Sequence, residues 1–358
     1  MRARAAAVLT AAFALAWIAP LVGLLAAGES LAPFLGFPPR TEPVTHAPFS
    51  PAAFALLALP ALGAVALFLI SLRPAQAPPA PRSSFPRWGW IGLALMAAGW
   101  VAAWNDVLPV EWRRQAFTPL WVGYALLMCA LAYRRGGRSL LTHRTGWFVA
   151  LFPVSAAFWW LFEHLNQFAD NWSYEGIEAP GSWEYFLQGT LPFSTVLPAV
   201  AATLFWLREY PRLEALRLPP MRGGPALGWL ALLAGALVLA ALGPWPEAFF
   251  WSLWVGPLLL LGGLQKLILG QTLFAPLATG DARSLLQPAL AALVCGFFWE
   301  LWNFGALAKW HYSIPFAQRF HLFEMPLLGY AGYLPFGIVC ALVMDTLARL
   351  LERRGLYG

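Results

Sequence analysis

Two short stretches hold the residue types best suited to chemistry. The first reads Glu163-His-Leu-Asn166 and is followed by Trp172-Ser-Tyr174; the second reads Glu300-Leu-Trp-Asn303 and is followed by Trp310-His-Tyr312. On a helix, an Asn three positions after a Glu shares its face. Both acids lie in apolar sequence, where a carboxylic acid is suited to hold and donate a proton near neutral pH. Aromatic faces stabilise cations, including quaternary ammonium groups and developing carbocations. Glu163 and Glu300 are therefore read as a catalytic acid/base or cation-binding pair. Asn166 and Asn303 are expected to orient them. Trp172, Tyr174, Trp310 and Tyr312 are expected to close a substrate pocket.

More polar residues gather beside these motifs. His164, His311, His321 and Glu324 are ligand types for zinc or iron, so a divalent metal is a candidate cofactor. Their spacing matches neither a zincin nor the Glu-x-x-His bundles. His321-Leu-Phe-Glu324 is expected to put a His and a Glu on one helix face, in the reverse order. The stretch from Glu324 to Gly337 carries Pro326, Pro335 and three glycines, and Pro192 and Pro198 interrupt an earlier apolar block. Proline removes a helical hydrogen bond and bends the chain, which a membrane tolerates where protein or water satisfies the freed groups. Bent segments there would widen a cavity lined by Tyr330 and Tyr333. Arg113 and Arg114 read as a solvated loop able to meet an anionic headgroup, and Trp104, Asn105 and Asp106 end a span on that same side.

The elements that must hold these residues are membrane helices. Of 358 residues, 60% are hydrophobic and 11% charged, against roughly 25% charged in soluble proteins. The apolar residues come in blocks of about 20, enough to cross a hydrocarbon core. Spans are expected near 5–27, 51–72, 88–107, 118–133, 146–168, 185–207, 226–243, 247–265, 286–305 and 323–347. The fold class is an all-α integral membrane protein with about ten transmembrane helices. Arg2 and Arg4 precede the first block, but its apolar stretch is longer than a signal-peptide core, so an uncleaved anchor is expected.

With the N-terminus inside, 18 of the 23 basic residues fall on inner segments and five on outer loops. That split follows the positive-inside rule and places both termini in the cytoplasm of a bacterial-type inner membrane. It also accounts for the net charge of +6 without nucleic acid, for which no motif is present; the expected partners are membrane lipids. Cys129, Cys295 and Cys340 lie in apolar blocks without zinc or redox spacing and read as buried free thiols.

The later spans look duplicated. Pro119-Leu-Trp-Val-Gly123 matches Ser252-Leu-Trp-Val-Gly256 at an offset of 133, the Glu-x-x-Asn motifs match at 137, and the Trp-x-Tyr motifs at 138. Phe186 and Leu197-Pro198 match Phe323 and Leu334-Pro335 at 137. The expected organisation is a two-span hairpin (1–72), a Pro/Arg-rich cytoplasmic linker (73–87), and four-span repeats at 88–207 and 226–347. Four spans per repeat is an even number, so the copies are expected to be parallel. Ligand sites in such folds often lie between the repeats.

No phosphate-binding glycine loop, Gly-x-Ser-x-Gly elbow or His-Glu-x-x-His is present. The functional expectation is a polar, aromatic-rich pocket near the outer face, built from both repeats. It would bind or act on an amphiphilic molecule, a lipid or an isoprenoid-like compound. The alternatives are an ion-coupled transporter using the same carboxylates, and a membrane scaffold without a small-molecule ligand.

Overall fold

The computed structural model describes residues 1–76, 82–177 and 181–357. Residues 77–81, in the middle of the expected linker, lie outside the described residues. The apolar blocks are helices, the form in which a chain in hydrocarbon satisfies every backbone group internally. In chain order they are α1 (Arg2–Ala26), α2 (Pro51–Ser71), α3 (Arg87–Trp104), α4 (Phe117–Gly136), α5 (Thr145–Ala169), α6 (Ser182–Phe193), α7 (Val196–Leu207), α8 (Pro225–Leu242), α9 (Ser252–Leu264), α10 (Arg283–Phe304) and α11 (Tyr333–Leu351). Among the described residues, eight helical segments are long and apolar enough to cross a membrane: α1, α2, α5, α6–α7 together, α8, α9 with its extension to Leu269, α10, and Leu327–Leu351. Helices α3 and α4 form a further packed pair.

Hydrocarbon offers helices little hydrophobic drive to associate, so small residues that let backbones approach carry the packing. A Cβ added to Gly92 of α3 would lie 2.8 Å from the Gly123 carbonyl of α4 and against Leu126 and Leu127. A Cβ added to Gly235 of α8 would lie 3.0 Å from the Gly256 carbonyl of α9 and against Leu259 and Leu260. The contacts on α4 and α9 are the same three positions displaced by 133.

Helices α1 and α2 lie in different surroundings. The small-residue face of α1, with Ala5, Ala12, Ala16, Ala19 and Gly23, is buried in the bundle against α8, α9 and α11. Helix α2 lies at the periphery, exposed over most of its length, with Phe54 against Phe320. At one end of the bundle, Arg2 donates to the Leu351 carbonyl, which brings the two chain termini together. Nearby, Arg349 pairs with the buried Asp345 at 2.7 Å, as their i,i+4 spacing on a helix favours.

Prolines shape the two segments that flank the site. The block at 185–207 is broken at Ser194-Thr195, between α6 and α7. Ser155 of α5 stitches the break: its hydroxyl donates to the Phe193 carbonyl at 2.6 Å and accepts from the Leu197 amide at 3.0 Å. The block at 323–347 departs further from a span. His321–Leu322 and Met325–Pro326 form a tight hairpin (β3 and β4), and Leu327–Gly332 is a 3-10 turn before α11 begins. Pro326 cannot donate to a helical ladder, and Phe323 adopts a left-handed conformation with φ of 59°. His321 and Glu324 therefore share no helix face.

Beyond α5 and α10 the chain forms two short strands, β1 (Trp172–Glu175) and β2 (Lys309–Tyr312). They pair antiparallel with Trp172 opposite Tyr312, Ser173 opposite His311 and Tyr174 opposite Trp310. The two Trp-x-Tyr motifs are thus interleaved about the Ser173–His311 pair, at the end of the bundle away from the termini.

Candidate functional site

Glu163 is 1% exposed and Glu300 is fully buried, each near the ribbon end of its helix. The Oε1 of Glu163 accepts three hydrogen bonds: from Trp159 Nε1 at 2.8 Å, Trp172 Nε1 at 3.1 Å and Tyr174 OH at 2.6 Å. The Oε1 of Glu300 accepts from Tyr312 OH at 2.8 Å and Tyr333 OH at 2.5 Å. Trp310 Nε1 donates to the Tyr312 hydroxyl at 2.8 Å and reaches Glu300 through it. An indole N–H only donates, so Oε1 of Glu163 is fixed as an acceptor. In both acids Oε2 is buried without a protein partner among the described residues. A buried acceptor left unsatisfied costs about 1–3 kcal/mol.

The amides have a different role from the one expected. Asn166 does not bond its Glu; its Nδ2 donates to the Trp172 carbonyl at 2.7 Å, and its Oδ1 accepts from the Asn171 and Trp172 amides at 2.9 and 3.3 Å. Asn303 donates to the Trp310 carbonyl and accepts from the Trp310 amide, both at 2.8 Å. Each Asn clamps the following strand to its helix. The clamp turns the strand's Trp and Tyr back over the carboxylate.

A cavity of about 140 Å³ lies beneath the ribbon. Every direct donor to the two carboxylates lines it: Trp159, Trp172 and Tyr174 from one centre, Tyr312 and Tyr333 from the other. The carboxylates stand behind this aromatic layer rather than in the wall. Burial first, and the facing carboxylate second, push the Tyr174 and Tyr312 hydroxyls well above the ordinary phenol range, so both remain donors at neutral pH.

Of the residues expected to contact a substrate, Trp172, Tyr174, Trp310, Tyr312 and Tyr333 line the cavity. Tyr330 stands outside the wall and donates to the Leu322 carbonyl. Of the four residues expected as metal ligands, His311 and Glu324 meet, while His164 and His321 lie apart from them. His164 stacks on Trp17 at 3.9 Å and bonds its carbonyl. His311 meets Glu175 at 2.7 Å and Glu324 at 3.3 Å, while Lys309 holds Glu324 at 2.8 Å. His321 bonds Gln318. Among the described residues no three His, Cys, Asp or Glu side chains form a metal-ligating group.

Sequence reasoning left out several wall residues. Trp254 stacks on Phe162 and Trp172, and Trp299 stacks on Tyr333. Trp254 sits inside the Ser-Leu-Trp-Val-Gly motif and Trp299 precedes Glu300, so both were marked by position. Arg114 and Gln115 also reach the wall, whereas Arg113 pairs with Asp106. Trp104 donates to the Trp302 carbonyl at the end of α10. Comparison with protein-family models, curated proteins and solved structures finds no match.

Proposed function

We propose that this is a polytopic membrane protein whose aromatic cavity binds or acts on an amphiphilic molecule, with Glu163 and Glu300 as the paired acids behind its wall. One observation carries the reading: the donors to two separate buried carboxylates wall a single cavity. A structural acid needs only to be satisfied by its neighbours. Here, among the described residues, each acid keeps one buried oxygen without a protein partner, and the intervening side chains are donors and π faces. Such a wall suits a cationic headgroup or a charge developing on an unsaturated chain, and the acids supply the proton or the counter-charge.

The frame of this proposal is ten spans in a bacterial-type inner membrane, both termini cytoplasmic, with two tandem four-helix units around the site. Supporting it are the 18-to-5 split of basic residues, the meeting of Arg2 with Leu351, and the repeated glycine contacts of α3–α4 and α8–α9. The cavity then opens toward the outer leaflet.

The test is lipid retention by the full chain purified in mild detergent and read by native mass spectrometry. Wild type is expected to keep a defined amphiphile, and Glu163→Gln or Glu300→Gln to lose it while the thermal transition stays within a few degrees. Gln preserves shape and hydrogen bonding but not charge or proton chemistry. If both Gln variants retain the same species in the same amount, the carboxylates are structural and the proposal fails.

A further inference from the structure

At the opposite end of the bundle, where the termini meet, an open cleft of about 500 Å³ is lined by Arg82, Arg135, Arg138, Arg144, Arg208 and Arg354. They come from the approach to α3, the end of α4, the turn after it, the start of α5, the segment after α7 and the C-terminal tail. Two carboxylates share the lining, Glu209 and Glu214. A third, Glu352, is engaged by Arg144 through two bonds of 3.1 and 2.6 Å and by Arg354 at 3.0 Å.

Membrane orientation alone would scatter basic residues over solvated loops. Here they converge, and aromatic faces hold several in place. Arg135 lies 4.0 Å over the Tyr210 ring, Arg144 4.3 Å over Trp147, and Arg208 4.9 Å over Tyr357. Arg135 also donates to the Glu209 carbonyl and Arg208 to the Leu356 carbonyl. Guanidinium groups positioned in advance lose little freedom on meeting a ligand, and their planar fork matches the oxygens of a phosphate.

We propose that this cleft binds a phosphate-bearing anion at the inner membrane surface. The chemistry is shared by an anionic phospholipid headgroup and a free polyphosphate. Glu209 is the internal competitor. It packs against Gly136, and burial raises its carboxyl above the usual range despite the opposing pull of Arg82, Arg138 and Arg208. Removing its charge should therefore tighten binding.

The full chain in neutral detergent is titrated with inorganic pyrophosphate by calorimetry. In parallel, the chain in nanodiscs of phosphatidylcholine, with and without phosphatidylglycerol, is read for retained lipid. Binding to either probe supports the site, and the arm that responds names the source. Arg138→Gln and Arg82→Gln are each expected to weaken binding roughly tenfold, about the worth of one charge-assisted contact. Arg138→Lys should keep part of it, and Glu209→Gln should strengthen it several-fold. The Gln variants guard against misfolding, because Glu209→Gln must shift affinity the other way. Wild type that binds neither probe, or affinity unmoved by both Arg→Gln variants, overturns the proposal.

Discussion

The two carboxylate centres solve one problem with different residues. Four positions before Glu163 stands Trp159, and four before Glu300 stands Gly296. Displaced by 137 positions from Tyr333 stands Val196. In the first centre the extra donor comes from the acid's own helix, as the Trp159 indole. In the second it comes from a neighbouring helix, as the Tyr333 hydroxyl. Gly296 leaves the room for that ring, since a Cβ there would strike Tyr333. Bulk and donor have changed places between two helices, and a strong donor still reaches Oε1. The comparison teaches that the position of the donor matters more than the residue supplying it. The centres also differ in depth of support: three direct donors against two with an indole behind one of them.

The sharpest way to break the comparison is to exchange the pair. Gly296→Trp alone should destabilise by about 3 kcal/mol or more through overpacking, measured as thermal unfolding in detergent. Adding Tyr333→Val should recover much of that loss, because the second centre then copies the first. A Gly296→Trp chain as stable as wild type would show that the ring and the missing Cβ are unrelated.

Next come the clamps. Asn166→Leu removes three hydrogen bonds and Asn303→Leu two. At about 1 kcal/mol each, the first should cost roughly 3 kcal/mol and the second about 2. Equal costs would mean that the long Trp172 amide contact contributes nothing. Single donors rank lower. Trp159→Phe and Tyr333→Phe should each cost about 1 kcal/mol, with Tyr333→Phe the larger because it leaves Glu300 one direct donor. Chemical denaturation of the two variants in parallel gives the order.

The smallest effects lie in pH, and their signs oppose each other. Asp170 follows α5, and burial raises its carboxyl to about 6, against the pull of His46. The folded state then binds the proton more tightly, so its contribution falls as pH rises from about 4 to 6. Beside the second strand, burial opposes ionisation of Glu324, but Lys309 and His311 outweigh it and hold the carboxyl below its ordinary value. That contribution is present above the usual glutamate range and is lost as pH falls through the depressed value. Asp170→Asn should flatten stability between about pH 4 and 6 by about 1 kcal/mol, well under the full worth of so large a displacement because solvent screens this partly exposed carboxyl. Lys309→Met should remove the Glu324 contribution, about 0.5 kcal/mol given its partial exposure. A Lys309→Met curve that still drops at acid pH would assign that loss to another group.

Much of this was legible in the chain. Blocks of about 20 apolar residues announce helices because hydrocarbon permits little else. The carboxylates were legible because a buried acid in such a block needs partners. Other features were not. The hairpin at His321–Pro326 hides in apolar sequence, and only Pro326 and the glycines after it argue against a helix. The pairing of β1 with β2 joins residues about 138 apart, a separation that local pattern cannot reach. His164, polar and beside Glu163, looked like part of the site. On a helix the next residue points elsewhere, here onto Trp17 of α1. The Asn role was misjudged because a shared face says which groups are close, while the open backbone of a strand beyond the helix offers an amide more bonds than the carboxylate does.

The ribbon also imposes a schedule. Its first strand is complete once residue 175 has been added to the chain, while its partner is completed only at residue 312. Through the synthesis of the intervening chain, α5 and its neighbours can insert and Asn166 can fold β1 back over Glu163, but the edge of that strand has nothing to pair with. Unpaired strand edges invite wrong partners. The cap of the cavity is therefore closed late in biogenesis, by the arrival of the second strand, and a chain halted between the two strands would display an open edge that quality-control proteases could find.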